Sequence, residues 1–178
     1  MTNDDNIKDL LRTNAQKAFS LLVKRYQEPA YWHIRRLVVS HADAEDATQE
    51  TFIRVYRSFG QIAEVKSVRA WVLKIATNEA LRIIDRRKAQ MVPVDGDGSA
   101  AFEAFADDYV DYSRTAEVRL QKAILSLPAK QQLAFNLRYY DDLSYSEIAE
   151  AIGTSSVSAR MNYHLAKDKI VKYLKTND

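Results

Sequence analysis

Chain breakers are scarce in this sequence: four glycines and three prolines among 178 residues. A chain with so few points of sharp reversal cannot make the closely spaced turns of a β-sandwich or barrel. It is left with helices joined by short connections. The seven breakers are Pro29, Gly60, Pro93, Gly96, Gly98, Pro128 and Gly153, and each falls at or near the end of an expected element. Pro93, Gly96 and Gly98 share one acidic, aperiodic stretch, which reads as the start of a linker. The expected organisation is therefore an N-terminal module over 1–90, a connector over 91–116 and a C-terminal module over 117–178. No stretch alternates in the manner of a strand, so the fold class is all-α with two small helical domains.

In the N-terminal module, Phe19, Leu22, Val23 and Tyr26 fall at i, i+3, i+4 and i+7, an amphipathic helix. Pro29 suggests a new helix running to about Val39. A third stripe joins Ala47, Thr51 and Val55 to Phe52, Tyr56 and Phe59, and Gly60 is the expected stop. Residues 61–66 read as a loop. Ser67 is positioned to cap a fourth helix, whose stripe of Val68, Trp71, Val72 and Ile75 continues through Ala80, Ile83 and Ile84.

The C-terminal module opens with expected helices at 117–127 and 130–140. Ser144 and Glu147 then have the spacing of a capping box, in which hydroxyl and carboxylate satisfy each other's orphan N–H groups. Ile148, Ala149 and Ile152 give the following short helix its apolar face, and Gly153 permits a turn. Ser155 or Ser156 can cap a longer helix with Ala159, Tyr163, Ala166 and Ile170 on its buried side. A short helix, a glycine-containing turn and a longer basic helix make a helix-turn-helix. A plain helical hairpin that binds protein is the other reading of the same pattern.

Net charge is only +2, but its distribution is uneven. Residues 66–88 hold seven basic and two acidic side chains, residues 91–112 six acidic and no basic ones, and residues 154–178 five basic and two acidic. A basic, acidic, basic order suits two anion-facing modules joined by an acidic connector. The absence of cysteine excludes disulfides, thiolate metal sites and a cysteine nucleophile. His33, His41 and His164 are dispersed, and no phosphate-cradling glycine loop or nucleophile elbow is present. No cofactor and no catalytic centre are expected. The start of the sequence has no secretory pattern and no apolar run reaches membrane-spanning length, so a cytoplasmic location is expected.

Two helices carry the chemistry of interest. With Ala159, Tyr163, Ala166 and Ile170 inward, Val157, Ser158, Met161, His164 and Leu165 point outward, with Arg160, Asn162 and Lys167 on the flanks. Arg160 and Asn162 suit base edges or phosphates, while Lys167, Lys169 and Lys172 suit phosphates. On the other helix, Arg69, Lys74, Asn78 and Arg82 interleave with an apolar stripe that includes Trp71. A basic helix with an aromatic beside a polar loop fits single-stranded or melted nucleic acid. Trp71 also fits a simple core position. Asp43, Glu45, Asp46 and Glu50 form an acidic helix face, which reads as solvated or partner-facing.

Three runs, DAEDATQETF at 43–52, RAWVLKIATN at 69–78 and LSYSEIAEAIG at 143–153, resemble bacterial sigma factors of the sigma-70 family, in the extracytoplasmic-function class that keeps only regions 2 and 4. The resemblance covers about residues 15–90 and 117–174. It implies a non-enzymatic promoter-specificity subunit that directs core RNA polymerase to −10 and −35 elements and assists melting. Asp46, Gln49, Glu50, Phe52, Val55 and Tyr56 would lie on the helix that docks on the β′ clamp coiled coil. Gln61 and Lys66 in the loop, with Arg69, Trp71, Lys74, Asn78 and Arg82 on the next helix, would meet the −10 element. Arg138, Ser144, Ser156, Ser158, Arg160, Asn162, His164 and Lys167 would meet the −35 element, with this region also touching the β flap. The acidic linker would follow a path otherwise taken by nucleic acid, with Phe102, Phe105, Tyr109 and Tyr112 available for packing. An anti-sigma factor, often membrane-anchored in the family, is the implied regulator. The last helix departs from the family pattern: Asn162 and Leu165 stand where arginines are common. A decoy that sequesters an anti-sigma factor and a stand-alone helix-turn-helix regulator are the competing readings.

Overall fold

The structure, a computed structural model, describes residues 3–90 and 116–177. The expected linker aromatics Phe102, Phe105, Tyr109 and Tyr112 lie outside the described residues. Within them the chain is helical: α1 (Asn3–Thr13), α2 (Ala15–Val38), α3 (His41–Arg57), a 3₁₀ segment (Phe59–Ala63), α4 (Val68–Gln90), α5 (Ala116–Leu125), α6 (Ala129–Tyr139), α7 (Tyr145–Ile152) and α8 (Ser156–Thr176). Among the described residues there is no strand.

Side-chain caps fix most of the helix starts. The Asn14 side chain accepts from the Lys17 N–H at 3.0 Å, Ser40 from Asp43 at 3.3 Å and Ser155 from Ser158 at 3.1 Å. Each such cap contributes about 1 kcal/mol. Ser67 caps α4 as expected, accepting from Ala70 N–H at 3.1 Å. Asp4 on α1 adds a second acceptor there, for Val68 N–H at 3.0 Å, and also takes the Tyr26 hydroxyl at 2.5 Å. The helix α1, which the hydrophobic pattern left unassigned, is thereby tied to both α2 and α4.

Two expected boundaries are corrected. Pro29 does not start a helix but lies inside α2. The buried series Leu22, Tyr26, Ala30, Ile34 and Leu37 keeps its phase across the proline, so continuous core burial outweighs the missing N–H bond and the ring clash. Likewise α3 stops at Arg57, not at Gly60, and the chain tightens into the 3₁₀ segment that buries Phe59 and Ile62. Between α2 and α3 sits Val39, a β-branched residue at φ 67°. That conformation is strained. It is held by the Ser40 cap and by Arg87 Nη1, which donates to Val38 O at 2.8 Å.

The main core lies among α1–α4. Ala18, Leu22, Ala30, Ile34, Val38, Ala44, Val55, Ile62, Val68, Val72, Ala76 and Ala80 form one buried cluster. A second cluster joins the two modules: Ala70 and Leu73 of α4 pack with Ala134 and Leu137 of α6, Leu143, and Ile148, Ala149 and Ala151 of α7. A third, around Ile124, Phe135 and Ile170, holds α5, α6 and α8 together. Thus α4 buries two sides, one against its own bundle and one beneath the helix-turn-helix.

Polar groups fasten this second contact. His33, fully buried on α2, has Nδ1 2.8 Å from the Asp141 carboxylate and Nε2 2.8 Å from the Thr77 hydroxyl of α4. Arg36 Nη2 donates to the other Asp141 oxygen at 3.1 Å and its guanidinium lies 4.3 Å from the Tyr140 ring centroid. Gln121 of α5 donates to Arg36 O at 2.9 Å. Both carboxylate oxygens of a buried aspartate are therefore paired, the condition for burying such a charge.

Candidate nucleic-acid interface

The helix-turn-helix forms as its local chemistry dictates. Ser144 Oγ accepts from Glu147 N–H at 3.2 Å, and Glu147 Oε2 accepts from Ser144 N–H at 2.8 Å, completing the capping box. Gly153 ends α7 in the left-handed region at φ 66°, ψ 50°, where a side chain would be strained. Ser155 then starts α8. Arg138 Nη1 donates to Leu143 O at 2.9 Å and its guanidinium stands 5.1 Å from the Tyr145 ring, so this arginine braces the approach to α7.

On α8, Ala159, Ala166 and Ile170 are buried while Val157, Met161, His164, Leu165 and Lys167 are exposed. The expected polar readers are partly engaged locally. Asn162 Nδ2 donates to Ser158 O at 2.9 Å and reaches Ser158 Oγ at 3.3 Å. Arg160 lies 5.1 Å from the Tyr145 ring, and Lys167 Nζ lies 5.8 Å from that of Tyr163. Ser156 is exposed; the Ser144 hydroxyl is committed to its cap.

On α4 the residues Trp71, Lys74, Asn78 and Arg82 share one outward face at helical spacing. Asn78 and Arg82 are exposed, and Trp71 and Lys74 half-buried, with Trp71 packed on the main core. Gln61, on the 3₁₀ segment, and Lys66 are exposed beside it. The N-terminal half of this face meets the second module. A narrow cleft brings Lys66, Ser67, Trp71 and Lys74 against Glu147 and Glu150 of α7. Burial pushes the Glu147 carboxyl up, but hydrogen bonds from Ser67 and from Ser144, together with the Arg69 charge, outweigh it and hold the group below the ordinary value. Carboxylates of α7 thus stand beside the basic side chains at the N-terminal end of α4.

The acidic helix α3 splits into two flanks. Asp46, Gln49 and Glu50 line a groove of about 700 Å³ between α3 and α4, opposite Arg82 and Arg86. Ion pairs of Arg54 with Glu79 and of Arg87 with Asp43 tie the groove walls together. Phe52 and Tyr56 lie on the other flank: Phe52 is half-buried against the core, and Tyr56 is 67% exposed with an edge contact to Phe19. Val55 is corrected as a docking residue. It is fully buried, one turn after Thr51 on the inward stripe, and offers no side chain to a partner. The joint His33, Thr77 and Asp141 was missed at the sequence level, since contacts across 44 and 108 residues leave no local pattern.

Comparison with known proteins places these features. Residues 22–90 match region 2 of the sigma-70 family, and residues 117–170 match its region 4. The ECF RNA polymerase sigma factor SigE of Mycolicibacterium smegmatis is 32% identical over 163 residues, covering 90% of this chain and 63% of that relative, so this chain spans just under two thirds of its length. The RNA polymerase sigma-H factor of Pseudomonas aeruginosa is 28% identical over 182 residues, covering 96% of this chain and 93% of the relative. In fold, the chain is similar to the sigma factor RpoE solved in complex with the anti-sigma factor NepR from Bartonella quintana, with a TM-score of 0.71, 18% identity, and coverage of 91% of this chain and 99% of that one. CnrH, solved in complex with the cytosolic domain of CnrY, gives 0.69 at 18% identity, covering 98% and 99%. With region 2 on the bundle that carries α4 and region 4 on the helix-turn-helix, the chain belongs to the sigma-70 family of bacterial RNA polymerase sigma factors, in its extracytoplasmic-function class.

Proposed function

We propose that this chain is a promoter-specificity subunit, which binds core RNA polymerase, selects −10 and −35 elements and assists melting without catalysing a reaction. The observation that carries the reading is the match of the two modules to regions 2 and 4, each with a helix, α4 and α8, that holds basic side chains on its outward side. Phosphate contacts from Lys66, Lys74, Arg82 and the lysines of α8 supply affinity. Asn78, Trp71 and the polar loop before α4 suit an unstacked base. Asp46, Gln49, Glu50 and Tyr56 present the surface for the β′ clamp coiled coil, and region 4 that for the β flap. Among the described residues no helix is long and apolar enough to cross a membrane. A cytoplasmic site of action follows from a polymerase partner.

In the arrangement described, α7 covers the N-terminal half of the −10 face. Promoter engagement by α4 therefore requires the two modules to part. The solved neighbours are sigma factors held by anti-sigma factors, which supports a partner of that kind that favours one arrangement of the modules.

The test is reconstitution of the chain with core polymerase on a promoter library, read as open complexes and run-off transcripts. Selective transcription that needs both components is expected. Binding to core with no promoter opened, or duplex binding independent of core, would overturn the reading in favour of a decoy or a stand-alone regulator.

A further inference from the structure

The outward face of α8 carries an apolar stripe among its polar residues. Val157, Met161 and Leu165, spaced one turn apart, are 74%, 59% and 42% exposed. The flanking candidates for base reading have local engagements: the Asn162 amide donates within its own turn, and Arg160 lies by the Tyr145 ring. Over its first two turns the centre of the outward face is therefore the Val157 and Met161 side chains, flanked by the exposed Ser156 and Arg160, and the exposed Lys167, Asp168, Lys169 and Lys172 follow.

In the major groove every base edge offers donors or acceptors, with one apolar group among them, the C5-methyl of thymine. A Met or Val side chain set against a donor or acceptor edge would strip its water and return no hydrogen bond. Set against a thymine methyl, it buries apolar surface on both sides. Four exposed cations, Arg160, Lys167, Lys169 and Lys172, surround the stripe against one carboxylate, Asp168, and that charge balance makes DNA the occupant that fits it. The geometry points to Val157 and Met161 as specificity-determining residues that read thymine methyl groups in the −35 element. This rests on the promoter reading above and adds the chemistry by which region 4 of this chain chooses its bases.

The test uses holoenzyme assembled from the full chain and core polymerase. A library randomised across the −35 element is selected for binding, and each enriched thymine is then replaced by deoxyuridine, which pairs identically but lacks the methyl. Thymine is expected at one or more positions, with deoxyuridine there weakening binding about fourfold. Met161→Ala is expected to lose a similar factor on the thymine template and to be indifferent to deoxyuridine. Met161→Arg is expected to shift the preferred base at that position to guanine. Both replace an exposed side chain, and an unchanged melting temperature confirms the fold. Equal affinity for the two templates with wild-type holoenzyme, or a selected element with no preferred thymine, overturns the proposal and leaves the stripe to a protein surface. Core-dependent binding of no library member overturns the promoter reading first, and this proposal with it.

Discussion

The two helices proposed to face nucleic acid differ in what the rest of the chain does to them. Helix α4 is packed on two sides and carries its basic and aromatic groups on a third, half of which is covered by Glu147 and Glu150 of α7. Helix α8 buries one stripe, and its outward face is uncovered. So the proposed −10 surface is charged and half covered, whereas the proposed −35 surface is open, with an apolar stripe in its first turns. Carboxylates over a basic face can exchange for phosphates, but here the exchange also has to uncover Ala70 and Leu73, which pack against α6 and α7. An apolar face covered in the same way would join the core. On the proposed assignment, access of −10 DNA to α4 requires the modules to part, while access of −35 DNA to α8 needs no such step.

The most direct way to break the contrast is to unfasten the modules. Asp141→Ala leaves the buried His33 Nδ1 without its partner and takes one acceptor from the half-buried Arg36. A loss of about 3 kcal/mol in stability is expected, with an increase in radius of gyration, measured by urea denaturation and small-angle scattering. Faster binding of a single-stranded −10 oligonucleotide should accompany it. A variant as stable and compact as the parent would mean that the joint does not hold the modules together.

Within α4, Asn78 lies beyond the covered half. Asn78→Ala is expected to lower open-complex formation about tenfold, roughly 1.4 kcal/mol, while core binding and stability stay as they were. Permanganate footprinting on reconstituted holoenzyme checks it. Equal loss in Lys74→Ala and none in Asn78→Ala would move the base-binding position to the covered half.

The turn between α7 and α8 offers a smaller effect of different origin. A Cβ at Gly153 would meet nothing within 4 Å, so Gly153→Ala tests backbone conformation alone. At φ 66° the cost is about 1 kcal/mol. Thermal denaturation should show that loss, and a loss several times larger would reveal crowding that the turn does not contain.

The legibility of these features in the sequence followed their range. The capping box at Ser144 and Glu147, the turn at Gly153 and the inward stripe of α8 rest on interactions within a few residues, and all are visible from spacing. Proline and glycine were less reliable guides. Pro29 sits inside α2 because the stripe from Leu22 to Leu37 continues through it, and that periodicity was the stronger signal. Val55 belongs to the stripe of Ala47 and Thr51, and the same spacing that marked it as part of a helix also marked it as inward. The pairing of Asp141 with His33 and Arg36 was not legible at all, because it depends on how two modules meet. Glu147 was legible only in part: its cap is local, while its position beside Ser67 and Arg69 is tertiary.

That second role of Glu147 yields the smallest effect and the sharpest one. Glutamine completes a capping box as glutamate does, so Glu147→Gln removes the charge and keeps the cap. Burial raises the Glu147 pKa, and the bonds from Ser67 and Ser144 with the Arg69 charge lower it by more, leaving the folded value below the ordinary 4.5. A carboxylate with a depressed folded pKa stabilises fully above its unfolded pKa and loses that contribution as pH falls through the folded value. The gap between wild type and Glu147→Gln should therefore be constant from neutral pH to about 4.5 and close below it. With the side chain partly solvated, the gap should stay under about 1 kcal/mol. Paired urea titrations across that range measure it, and a gap that does not change with pH would show that the carboxylate's charge contributes nothing where α7 meets α4.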